Sequence, residues 1–124
     1  MPSNTIDYYE TAEKTLGGHA ATQDFFRLFM VPITVHGGGG AAGTFAVDWL
    51  KYLEAWVEEG KAPDMVMGAH IKTDLPEDDI DYLNFPLPPA RIVYTRPVYP
   101  YPVIAKYKGA GDPTKAENFS PVMP

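Results

Sequence analysis

The sequence predicts an α/β fold, and three observations carry the prediction. An apolar run, "FFRLFMVP" (Phe25 to Pro32), broken only by Arg27, has the length of a buried strand. A glycine-rich turn, "HGGGG" (His36 to Gly40), follows it and leads into a segment with one apolar helical face. Two further short strands come after that helix, and strand, turn, helix, strand is the order of an α/β unit.

Each element has a local reason. A first helix is expected from about Ile6 to Leu16, with Asn4 or Thr5 as its cap, Asp7 and Glu10 near its positive end, and Gly17-Gly18 as its stop. The apolar run is closed by Pro32. The second helix is expected from Thr44 to near Glu59. There Phe45, Trp49, Leu53, Trp56 and Val57 recur at spacings of three and four, and Gly60 and Pro63 end it. "MVM" (Met65 to Met67) and "ARIVYT" (Ala90 to Thr95) read as short strands, with a loop or excursion from His70 to Pro89 between them. Of the 13 prolines, 11 lie from Pro63 onward, so the chain turns there from regular elements to irregular wrapping. Two helices and about three strands are too few for a complete doubly wound domain. The expected object is the closing portion of a larger α/β domain.

Composition removes several function classes. The net charge of −6 argues against a nucleic-acid partner, since phosphate backbones demand clustered cations. The run "EDDID" (Glu77 to Asp81) reads as a solvated loop. No apolar stretch approaches the length of a membrane span, and "MPSNTIDYYE" has neither the basic start nor the apolar stretch of a secretory signal. The absence of cysteine excludes disulfides, thiol nucleophiles and thiolate metal sites, but leaves the compartment unread.

The glycines after His36 admit three chemical readings and a bland one. A phosphate-cradling loop would suit a helix N-terminus, but no Gly-Lys-Ser/Thr follows. An HGGG oxyanion-hole element would need a G-x-S-x-G nucleophile elbow later in the chain. The chain has only Ser3 and Ser120, and "NFSPV" around Ser120 lacks the flanking glycines. In the third reading His36 is the general base of a serine hydrolase, delivered by a strand to a loop in which glycines permit close backbone approach. In the bland reading the glycines make a tight turn and the histidine is incidental.

Four blocks in order favour the third reading. "NTIDYYE" (Asn4 to Glu10), "FFRLFMVPITVHGGGG" (Phe25 to Gly40), "LEAWVEEGKAPD" (Leu53 to Asp64) and "RPVYPYPVIAKYKGAGDPTKAENF" (Arg96 to Phe119) together resemble the C-terminal portion of the tannase and feruloyl esterase family. The resemblance implies that residues 1–124 are the C-terminal segment of an α/β-hydrolase catalytic domain. The lid, the nucleophilic serine and the triad aspartate would then lie upstream. It further implies hydrolysis of aromatic-acid esters through a Ser-His-Asp triad, with a small-molecule aromatic ester as substrate, no cofactor and no metal. Of the triad, only His36 falls within this chain. Where the family carries cysteine after the triad histidine, disulfide-linked to one beside the nucleophile, this chain has Gly37; in the closing block it has Tyr99.

Other residues read as structural. Asp7 is expected in a first helical turn, Asp24 at the end of a loop, and His19 and His70 as solvated or incidental. Tyr8, Tyr9, Trp49 and Trp56 are expected in the core, Arg27 and Arg96 against buried carboxylates or at a sheet edge, and "YPYP" (Tyr99 to Pro102) packed on the body. The alternative to a hydrolase segment is a stand-alone, non-enzymatic binding module that retains a hydrolase-like remnant. A segment taken from its domain would also expose apolar faces through which it could self-associate.

Overall fold

A computed structural model describes residues 2–36, 40–72 and 84–124. Residues 37–39 and the "EDDID" run, with most of the excursion around it, lie outside the described residues.

Helix α1 spans Pro2–Thr15. It starts earlier than the cap pattern implies because Pro2 stands in its first turn, where a missing N–H is harmless and φ is already helical. Asp7 is therefore in the second turn, not the first. Gly17 and Gly18, with φ of 95° and 98°, end the helix, and the short α2 (His19–Gln23) follows. Tyr9 is the one side chain of α1 that is buried. Its hydroxyl donates to the Phe26 carbonyl at 3.0 Å, and its ring meets Phe26 and Tyr101 edge-on. Tyr8, on the next position of the same helix, is 70% exposed, contrary to its expected place in the core.

The apolar run after α2 is not a laddered strand. Phe29 makes a single bridge to Pro100, and the Tyr101 N–H donates to the Leu28 carbonyl at 2.7 Å. The reason lies in the partner. Pro100 and Pro102 flank Tyr101 and have no N–H, so the tail offers this segment one donor where a ladder needs several. Phe29 and Val31 still pack into the core.

Helix α3 is Trp49–Glu59, five residues shorter at its start than the pattern implies. Asp48 caps it by accepting from the Lys51 N–H, and Gly60 ends it in the left-handed conformation. Residues 44–47 instead run along a sheet edge, where Ala46 and Ala69 exchange both backbone hydrogen bonds. That sheet is β1 (Val66–Ile71) antiparallel to β2 (Ile92–Val98), in register from Val66↔Val98 to His70↔Tyr94, with a bulge after His70. Alternation sends Ala69 and Ile71 to one face, into a cluster with Ala46, Phe45 and Leu87. Val66, Gly68 and His70 go to the other, where Val66 joins Val47 and Val98.

The proline-rich tail contains a second sheet that the sequence reading missed. Strands β3 (Ile104–Tyr107) and β4 (Phe119–Val122) pair antiparallel. Their connection is fastened to β2, since the Thr95 N–H donates to the Thr114 carbonyl and the Ala116 N–H to the Thr95 hydroxyl, both at 3.0 Å. The "YPYP" stretch packs on the body as expected, and the Tyr101 hydroxyl donates to Glu10 at 2.7 Å.

Candidate active site

The route to His36 begins at a sharp turn. Thr34 donates its hydroxyl to the Val31 carbonyl at 3.1 Å, and between them Ile33 has φ of 57°. A β-branched residue in that region is disfavoured by roughly 1–3 kcal/mol, so surrounding contacts must hold it there. They come from the far limb of the loop. A Cβ built on Gly43 would lie 2.4 Å from the Ile33 carbonyl oxygen, and one on Gly40 would lie 2.6 Å from the same atom. The two limbs, residues 33–35 and 40–43, therefore press backbone against backbone, with His36 the first residue beyond that neck.

The neck sits on the sheet by another close approach. A Cβ on Gly68 would lie 2.6 Å from the Thr44 carbonyl oxygen. Two side chains of the sheet hold the far limb. His70 Nδ1 lies 2.8 Å from the Gly43 carbonyl, so that nitrogen carries the proton, and the Tyr94 hydroxyl donates to the Ala42 carbonyl. The two rings stack, with centroids 4.9 Å apart and planes 13° from parallel. His70 is thus neither solvated nor incidental. Tyr94 carried no signal in the sequence beyond its alternation with Arg96 and Val98 along β2.

His36 itself is exposed in a turn, and no hydrogen-bond partner meets its ring among the described residues. Asp7 is on the outer surface of α1 and Asp24 caps the end of α2, both exposed and neither paired with His36. Ser3 lies on α1 and Ser120 on β4, opposite Lys106. Among the described residues the structure therefore brings no second triad member to His36. His19 is exposed, in keeping with its reading as solvated, and also pairs with Glu13 at 2.6 Å, which ties α2 to α1. Among the described residues no group of three His, Asp or Glu side chains converges as metal ligands would, and no helix is long and apolar enough to cross a membrane.

Both arginines meet expectation only in part. Arg27 bonds the Pro63 carbonyl and Asp64, each at 2.8 Å, but Asp64 is almost fully exposed; the guanidinium also lies over Trp56. Arg96 is held between rings instead of carboxylates, 4.7 Å from the centre of Tyr94 and 4.3 Å from that of Phe119. It borders an apolar cleft of about 570 Å³, lined also by Ile6, Met30, Ile33, Tyr101 and Ile104, which opens beside the base of the loop.

The chain is similar to known proteins in sequence and in fold. The chain is 38% identical over 121 residues to mono(2-hydroxyethyl) terephthalate hydrolase of Piscinibacter sakaiensis, matching 98% of this chain and 17% of that protein. It is 31% identical over 119 residues to a probable feruloyl esterase of Arthroderma benhamiae, 95% of this chain and 19% of that one. The chain thus spans under a quarter of the length of these relatives. Its fold matches an esterase from Aspergillus oryzae with a TM-score of 0.77 at 23% identity, over 97% of this chain and 24% of the other. Feruloyl esterase B from the same organism gives 0.74 at 24% identity, with the same shares. The architecture is accordingly part of an α/β-hydrolase-like fold. Residues 1–122 match the family model described as tannase and feruloyl esterase, and the chain belongs to that family of ester hydrolases, corresponding to its C-terminal portion.

Proposed function

We propose that this chain is the C-terminal part of a serine carboxylic ester hydrolase that cleaves esters of aromatic acids, and that His36 is its triad base. One observation carries the assignment. His36 projects, exposed and unpaired among the described residues, from a loop whose neck is braced on a sheet. A general base needs a fixed backbone beneath it and a ring open to its reaction partners, and the braced neck and exposed ring supply both. In that role it takes the serine proton as the hydroxyl attacks the ester carbonyl, then returns a proton to the departing alcohol. The serine and the orienting carboxylate belong to the preceding part of the family's chain, which agrees with the small share of its relatives that this chain covers. Aromatic acids are the common element in the names of those relatives, terephthalate in one and ferulate in the other.

The test uses the esterase that contains this chain, assayed with methyl gallate and p-nitrophenyl butyrate. His36→Ala should abolish turnover and leave the melting temperature unchanged, since loss of a triad member typically lowers kcat by about 10⁴-fold or more. The 124-residue chain by itself should show no turnover. Near wild-type kcat in His36→Ala, or turnover by the isolated chain that depends on His36, sinks the assignment.

A further inference from the structure

We propose that His70 and Tyr94 are positioning residues for the reaction, a clamp that fixes the height and tilt of the His36 loop. The proposal rests on the triad role of His36 argued above. The clamp grips two successive carbonyls, Gly43 through His70 Nδ1 and Ala42 through the Tyr94 hydroxyl. Those carbonyls are the handles available, because Ala41, Ala42 and Gly43 have no side chain that could anchor the limb. The gripping residues are a cross-strand pair of the β1–β2 sheet, and their stacked rings set the spacing of the two donors. The Phe45 ring meets His70 edge-on at 6.1 Å and the Arg96 guanidinium covers Tyr94, so neither ring is free to turn away.

What the clamp holds is transmitted to His36 without slack. Gly43 and Gly40 both lie against the Ile33 carbonyl oxygen, and Gly40 faces the backbone of Thr34 and Val35, the residues just before His36. A shift of the Ala42 and Gly43 carbonyls therefore pushes on Ile33 to Val35 directly, and moves the imidazole with them. The two gripping hydrogen bonds lie outside the buried clusters, although Phe45, which packs on the Ile71 cluster, also meets the His70 ring, so folding is monitored beside kcat.

Tyr94→Phe and His70→Phe, made in the esterase that contains this chain, keep an aromatic ring at each site and remove one donor each. Because misplacement of about 1 Å can lower a rate by about 10²-fold, each should lower kcat by about tenfold with KM within about twofold. The melting temperature should stay within a few degrees. His70→Asn, whose amide nitrogen stands near the place of Nδ1, should recover most of the lost kcat. His36→Ala is assayed in parallel. If it keeps turnover, the triad reading falls and the clamp with it. If it is inactive while Tyr94→Phe and His70→Phe both retain full kcat, the clamp alone is overturned. A loss of kcat that tracks a loss of folding, with no rescue by His70→Asn, also overturns it. Should His70→Phe fail to fold, the kcat of Tyr94→Phe decides.

Discussion

Gly43→Ala isolates the geometry of the loop neck. Gly43 is not at a positive φ, so alanine meets no backbone strain there, and its effect is steric alone. The added methyl would stand 2.4 Å from the Ile33 carbonyl oxygen, 2.6 Å from the Thr34 methyl and 2.9 Å from the Ile33 carbonyl carbon. Optimal contact is about 3.5–4.0 Å, so the limbs must part by about 1 Å. Two of the three obstructing atoms are backbone and cannot rotate aside. The displacement falls on the segment that delivers His36, and on the role proposed for that residue a misplacement of this scale should lower kcat by about 10²-fold. Steady-state kinetics on methyl gallate, with the esterase that contains this chain, measures it. Gly109→Ala serves as the control: its φ is 81° and nothing lies within 4 Å of the new methyl, so it should cost about 1 kcal/mol of stability and no activity. If Gly43→Ala retains wild-type kcat, the neck does not position His36.

Three further outcomes follow from other contacts. Tyr9→Phe leaves the Phe26 carbonyl without its donor and should destabilise the chain by about 1–3 kcal/mol in urea titrations. Burial, then the nearby Glu13 charge, raises the Tyr9 pKa, so the wild-type advantage is full below the ordinary value of 10.0 and shrinks as pH rises above it; a constant advantage through pH 11 contradicts this. Asp112 is held below its ordinary value of 3.8 by accepting from the Thr114 hydroxyl and N–H, so its contribution is present above that pH and lost below it. The protection factor of the Ala116 amide, measured against its intrinsic exchange rate, should fall in acid, and Asp112→Asn should show the low protection already at pH 6. The isolated chain should self-associate and bind a hydrophobic dye through Trp49, Leu53 and Val57, which align along α3 at 46%, 55% and 76% exposure. Each apolar side chain left uncovered forgoes about 1.5–3 kcal/mol of burial, so Leu53→Lys should reduce both signals, and a monomer that binds no dye refutes the reading.

The parts of the fold legible in sequence are those whose cause is local. Gly17-Gly18 and Gly60 end helices because the chain must turn left-handed there, and β1 and β2 are legible in part as "MVM" and "ARIVYT", although β1 runs on through His70, which reads as loop. What could not be read depends on a distant partner. The run from Phe25 to Pro32 has every property of a strand except a neighbour able to donate, and that neighbour's deficiency is written in Pro100 and Pro102. Conversely, Pro121 hides the β4 strand, yet it sits opposite Ala105 in a two-stranded sheet whose outer edge needs no N–H from it. The apolar face of α3 was legible as a face, but whether it is covered depends on chain that the helix itself does not contain.

The candidate site divides along the same line. His36 announces itself because a histidine before four glycines is a local anomaly. Its supports do not, since His70 is 34 positions away and Tyr94 is 58, and neither stands in a motif. Only the register His70↔Tyr94, together with the close approach of Gly68 to Thr44, brings them under the loop. A single slip of that register would put the two rings on opposite faces of the sheet, so that only one could reach the Ala42 and Gly43 carbonyls. The bulge after His70 lies on β2, where Val93 is passed over and the pairing restarts at Ile71↔Ile92. Alternation along β1 is unbroken across it, so Ile71 enters its buried cluster while its neighbour His70 aims at the loop.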